Sequence, residues 1–190
     1  MITYRQVSAD ALAAYDSIPM LVQVDRIFTV TWTEGGLGGC VFTEQKVEPY
    51  VKDLGKWEQI EKLPERFDLS GWAFFMAYDK EQPVGGAVVV SRTQGVHMLD
   101  GRDDISVLWD LRVMPSRQRQ GVGKRLFDMA ADWSRHRGLK QMKIECQNVN
   151  VAACRFYHRQ GAVLQRIDAQ AYACEPEVAQ EVQLVWYLDL

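Results

Sequence analysis

Gly121 and Gly123 mark the part of this sequence where residue types and spacing point to one chemistry, the holding of a phosphate. The run from Leu111 to Lys124, LRVMPSRQRQGVGK, reads as a strand, a basic turn and a glycine-bearing helix start. Such a turn presents a row of backbone N–H groups, and a residue without a Cβ lets a pyrophosphate approach the main chain closely. Five basic residues, Arg112, Arg117, Arg119, Lys124 and Arg125, lie between Asp110 and Asp128 with no acid among them. Two further candidates are Asp110 and Glu145, carboxylates in predicted strands of a sheet that should be covered. Lone carboxylates there are costly unless they are used or paired. Either could act on a substrate through a water at a strand end. Equally, Glu145 could pair with an arginine, and Asp110 could be a structural hydrogen-bond acceptor.

The glycine pattern has rivals. It is not a P-loop, because no Gly-x4-Gly-Lys-Ser/Thr occurs, and it is not the dinucleotide fingerprint, because the turn is long and basic. The form here is Gln118-x-x-Gly121-x-Gly123 after a strand. The helix that follows carries Val122, Leu126, Met129, Ala130 and Trp133 on one stripe and stops at Gly138 behind Arg135, His136 and Arg137. A second motif comes later. Gln141 to Gln147 alternates as a strand does, and Asn150 then caps a predicted helix over Val151–Gln160, closed by Gly161.

These two motifs resemble the two halves of the cofactor site of the GCN5-related N-acetyltransferase (GNAT) family. The first is similar to its (Gln/Arg)-x-x-Gly-x-(Gly/Ala) turn, the second to Asn-x-x-Ala-x-x-Phe-Tyr-x-x-x-Gly. Trp109 to Val113, Glu145 to Asn150, Asp168 to Tyr172 and Val185 to Leu188 resemble the streptothricin acetyltransferase branch. So do Val41-Phe42-Thr43-Glu44 and Pro49-Tyr50-Val51-Lys52. One departure is Trp109, where that branch usually carries Glu.

The resemblance implies a mixed, mostly antiparallel α/β (α+β) sheet flanked by helices and splayed in the middle for acetyl-CoA. It also implies an activity, acetyl-CoA-dependent transfer to a primary amine of a cationic small molecule, streptothricin first. The alternatives are another small amine, a protein lysine, or a CoA-binding module without turnover. The amine must be neutral to attack, the carbonyl polarised and the departing sulfur protonated. By resemblance, Leu111, Arg112 and Val113 would bond the pantetheine arm through their backbone. Gln118, Arg119, Gln120, Gly121, Val122, Gly123 and Lys124 would hold the pyrophosphate, and Asn150 and Ala153 the pantetheine end. Tyr157 would be the general acid, since a phenol is matched to a thiol leaving group. Read without the motif, it is a core aromatic beside Phe156. Asp110 and Glu145 are the candidate bases. Trp109, Asp110, Glu145, Asp168 and Tyr172 would face the acceptor; otherwise Asp168 caps a loop and Tyr172 is packed.

The remaining composition sets bounds. At 190 residues, 47% hydrophobic and 25% charged, the chain is expected to be one globular domain. No apolar run is long enough to cross a membrane and no secretory leader is recognisable, so a cytoplasmic protein is expected. Cys40, Cys146, Cys154 and Cys174 are scattered and read as free thiols, and His97, His136 and His158 make no metal spacing. Net charge is −3, and without the five basic residues of the turn 17 basic stand against 25 acidic residues. That balance disfavours nucleic acid and suits a cationic acceptor. A homodimer is compatible with all of this.

Strands are expected at Ile2–Val7, Trp72–Tyr78, Val84–Ser91, Ile105–Val113, Val163–Ile167 and Glu181–Leu188, and a short helix capped by Ser8. Pro19 to Ser70 gives no clear pattern apart from a glycine turn at Gly35–Gly39.

Overall fold

The computed structural model describes all 190 residues. Its strands are β1 (Ile2–Val7), β2 (Leu21–Trp32), β3 (Cys40–Asp53), β4 (Trp72–Asp79), β5 (Gln82–Ser91), β6 (Ile105–Val113), β7 (Gln141–Gln147), β8 (Val163–Asp168) and β9 (Gln183–Asp189). The helices are α1 (Leu12–Asp16), α2 (Leu63–Arg66), α3 (Val122–His136) and α4 (Val151–Arg159). No helix is long and apolar enough to cross a membrane. The chain groups into two compact units.

The first unit comprises residues 1–21, 53–144 and 189–190. Its strand order is β1-β4-β5-β6-β7, antiparallel except for the parallel β6–β7 pair. β4 and β5 are buried almost throughout, because helices cover both faces. Adjacent residues of a strand point to opposite faces, and two glycines of β5 show what lies on each. A Cβ on Gly85 would meet Leu126 and Val122 of α3, whereas a Cβ on Gly86 would lie 2.2 Å from the Tyr15 ring. Tyr15 can therefore approach the sheet only over a residue without a side chain. On α3 the buried stripe is Val122, Leu126, Phe127, Ala130, Ala131 and Ser134. Compared with the expected stripe it is rotated toward Phe127, and Trp133 lies half-buried beneath the Arg137 guanidinium instead. At the start of the unit the expected helix from Ser8 is split. A single 3-10 turn, Ala9–Ala11, precedes α1, and Ser8 bonds the Asp10 carboxylate rather than capping the backbone.

The second unit comprises residues 22–52 and 145–188. The end of β7 leads to β9 and then to β8, with β8 and β9 antiparallel. Here β2 and β3 form a separate two-stranded ribbon in the stretch that gave no clear pattern. Its ion pairs join Glu44 to Arg26 and to Arg155. Asn148 fastens the ribbon, its amide donating to the Phe28 carbonyl at 2.8 Å while its carbonyl oxygen accepts from the Val182 N–H at 2.8 Å.

Candidate functional site

In the first unit the basic turn is built as the motif requires. β6 carries a bulge at Trp109, where its register against β5 shifts between Val88↔Asp110 and Val89↔Leu108. Its ladder to β7 covers only Ile105 to Leu108. Leu111, Arg112 and Val113 thus pair with β5 along one edge and with no strand along the other. Pro115–Arg117 is a 3-10 turn, and the Gln118 amide donates back to the Val113 carbonyl at 3.2 Å. Arg119 and Gly121 both take positive φ, 59° and 84°. At Gly121 this conformation favours glycine, and it turns the chain directly into α3.

No side chain caps α3. Its first N–H groups have no intrahelical acceptor, so they suit an anion, and the helix dipole adds to the attraction. A Cβ at Gly121 would meet nothing within 4 Å, and one at Gly123 would meet only Val113 Cγ2 at 3.4 Å. The main chain is therefore uncovered on the side a phosphate would use.

The five basic residues are not equivalent. Arg119 and Arg125 are exposed on the turn and first helical turn. Arg117 pairs with Asp79, and Lys124 with Asp128 at 2.7 Å. Arg112 does not join the other basic residues of the turn, contrary to the charge count made from sequence. Strand alternation turns it to the covered face, where it forms a two-pronged bond to Asp110 at 2.9 and 2.6 Å. It also donates to the Ile18 carbonyl at 3.2 Å. Tyr15 completes this buried knot, its hydroxyl donating to Asp110 Oδ1 at 2.6 Å. Burial first, then the Asp110 charge, hold the Tyr15 phenol well above its ordinary pKa. Both Asp110 oxygens are thus engaged. Sequence reasoning missed Tyr15 and Gly86 here, since Tyr15 reaches Asp110 from 95 positions away and Gly86 matters only as the gap it passes over.

Trp109 is half-buried, with its ring 5.2 Å from Trp72 and 5.9 Å from Phe67. The indole N–H groups of Trp109 and Trp72 are buried without a hydrogen-bond partner.

In the second unit, Asn150 caps α4 as expected, its side-chain oxygen accepting from the Ala153 N–H at 3.1 Å. Tyr157 is buried on α4 with its ring edge-on to Phe156 at 5.5 Å. The four cysteines are free thiols, and Cys146 Sγ lies 3.5 Å from Cys154 Sγ. Glu145 and Gln147 lie two apart on β7 and so share a face. Tyr172 meets them from the β8–β9 connection, its hydroxyl donating to Glu145 Oε1 at 2.5 Å. Gln147 Nε2 reaches the Tyr172 oxygen and Glu145 Oε1, both at 3.4 Å. Burial, then the Glu145 charge, push the Tyr172 phenol far above its ordinary pKa. Asp168 accepts from the Gln170 N–H at 2.9 Å, closing a turn, and lies 3.8 Å from the Arg166 guanidinium. Glu181, buried against Lys52, was not singled out from sequence; a lone glutamate before a strand carries no signal of it.

Comparison with known proteins decides the family. The pattern of the Acetyltransferase (GNAT) family matches residues 41–162. This chain belongs to that family. It is an acyltransferase with the GNAT fold, as its motifs implied. It is similar to streptothricin acetyltransferase A of Bacillus subtilis, 26% identical over 151 residues that cover 79% of this chain and 80% of the relative. An Escherichia coli streptothricin acetyltransferase is 28% identical over 110 residues, covering 57% of this chain and 63% of the relative. Among solved structures, nourseothricin acetyltransferase superposes with a TM-score of 0.79 at 24% identity, covering 99% of this chain and 98% of its own. A Bacillus anthracis structure in complex with acetyl coenzyme A gives 0.80 at 22% identity, with complete coverage of both chains.

Proposed function

We propose that this acetyltransferase moves an acetyl group from acetyl-CoA to a primary amine of a cationic small molecule, with streptothricin-type antibiotics as the acceptor class. The observation that carries the acceptor is the similarity to a streptothricin acetyltransferase across about four-fifths of the chain. The fit to acetyl-CoA rests on the uncapped start of α3 and on Gly121 and Gly123, where a diphosphate has room beside the backbone.

Acetyl-CoA supplies an already activated thioester, so the protein's part is mainly to position and to move protons. Gln118 to Lys124 hold the diphosphate with backbone N–H groups, with Arg119 and Arg125 adding charge. The open edge of Leu111–Val113 takes the pantetheine amides as an added strand would. Asn150 Oδ1 is spent on its helix cap, so its amide nitrogen is the part that reaches the pantetheine, beside Ala153. Tyr157 donates the proton to the departing sulfur. Glu145 serves as the base, because Asp110 is locked between Arg112 and Tyr15. Trp109, Asp168 and Tyr172 border the acceptor amine.

A second reading, acetylation of a different small amine, draws on Trp109. Its indole, packed on Trp72 and Phe67, stands where the branch usually carries a carboxylate. Reliance on acetyl-CoA fits a cytoplasmic enzyme. The test is a thiol-release assay with acetyl-CoA and a panel of streptothricin, polyamines and lysine peptides. Turnover of streptothricin above the panel supports the proposal, and preferred turnover of a lysine peptide contradicts it.

A further inference from the structure

We infer that Tyr172 is a positioning residue for the base, fixing Glu145 Oε1 so that Oε2 alone faces the amine; this rests on the reading of Glu145 as base. The inference comes from a three-residue arrangement in the second unit. The Tyr172 hydroxyl lies 2.5 Å from Glu145 Oε1, and Gln147 Nε2 lies 3.4 Å from that same hydroxyl oxygen. An amide N–H can only donate, so Gln147 uses the phenol oxygen as acceptor and leaves the phenol O–H to point at the carboxylate. The bond is therefore directional.

The chain reaches this point by construction. Strand alternation puts Glu145 and Gln147 on one face of β7. The connection from β8 is bent by a series of turns, including Gln170 O to the Ala173 N–H and Tyr172 O to the Glu175 N–H, each near 3 Å. It is tied down beyond Tyr172 by the buried Lys52–Glu181 pair and by Asn148 on Val182. Tyr172 is thereby held on a fastened loop. The charged and titratable groups around the pair are Glu145 and Cys146 on β7, and Glu181, whose charge is met by Lys52 of β3.

A fixed Oε1 gives a consequence that simple packing would not. Losing the phenol hydroxyl removes a donor to the carboxylate and leaves the ring in place. The Glu145 carboxylate is then free to turn between rotamers and faces the amine only part of the time.

The experiment compares Tyr172→Phe, Gln147→Met and Glu145→Gln with the wild type, using kcat and KM for the amine and acetyl-CoA affinity by calorimetry. Tyr172→Phe is expected to fold, to bind acetyl-CoA normally and to lose about tenfold in kcat with KM for the amine nearly unchanged. Gln147→Met should lower kcat the same way by less, and it carries the test if Tyr172→Phe does not fold. Wild-type kcat in both variants, or a loss that falls on KM for the amine alone, overturns the inference and makes Tyr172 a packing residue. Wild-type kcat in Glu145→Gln overturns the base reading itself, and the inference with it.

Discussion

Tyr157 and Asp110 show how far one residue type can mean different things. Tyr157 sits buried beside Phe156 on a helix whose cap is the Asn of the motif. If it is the general acid, Tyr157→Phe keeps the packing and loses the proton. Its kcat should fall about tenfold or more with acetyl-CoA affinity nearly unchanged, as measured by steady-state kinetics and calorimetry. Unchanged kcat at neutral pH would make it a core aromatic. Asp110 is paired in a buried site with Arg112 and Tyr15. Its replacement by Asn leaves the guanidinium only Asp16, 3.4 Å away, as counter-charge, which should cost about 3 kcal/mol, or roughly 10 °C in melting temperature. A melting curve that matches wild type would show that the knot does not stabilise the fold. From sequence, the carboxylates were legible as candidates but their partners were not. Asp110 is held by a tyrosine from α1 across β5 that leaves no local trace in spacing, whereas Tyr172 was named through the resemblance but its bond to Glu145 was not.

At the level of elements, α3 joins the motif to chemistry. Its start is uncapped, and Gly123 has a backbone that any residue can adopt, with only Val113 Cγ2 at 3.4 Å from a new Cβ. Gly123→Glu should therefore fold normally and abolish acetyl-CoA binding in calorimetry, by obstruction and by charge repulsion at the diphosphate. Normal affinity in the folded variant would remove the turn from the cofactor site. The elements around the motifs were legible because they are punctuated. β1, β6 and β7 follow the sequence pattern to the residue, and α3 and α4 stop where Gly138 and Gly161 were expected to stop them. The β2–β3 ribbon was not legible. Neither of its strands buries one clean face, so alternation of polar and apolar residues is weak, and exposed Trp32, Val41, Tyr50 and Val51 mask it further. The hairpin between β4 and β5 is tighter than expected, with Asp79 paired to Gln82 and Lys80 at positive φ.

Across the whole molecule, acid outweighs base once the turn is set aside, and the proposed acceptor is a polycation. Asp168→Asn should raise KM for such an acceptor and spare KM for acetyl-CoA. Added salt should weaken the acceptor step in the same direction, since exposed charge attraction is screened within about 10 Å at 0.1 M. A monocationic amine should respond less to both. Equal salt response for both amines would mean that overall charge plays no part in acceptor choice. The measurement closest to the central claim is kcat/KM for streptothricin at saturating acetyl-CoA, set against a monocationic primary amine and confirmed by the mass of one added acetyl group. A single acetylation of streptothricin is expected, with kcat/KM at least about a hundredfold above the simple amine, in the range of ordinary enzymes. Absence of acetylated streptothricin, with acetyl transfer to another amine intact, would contradict it.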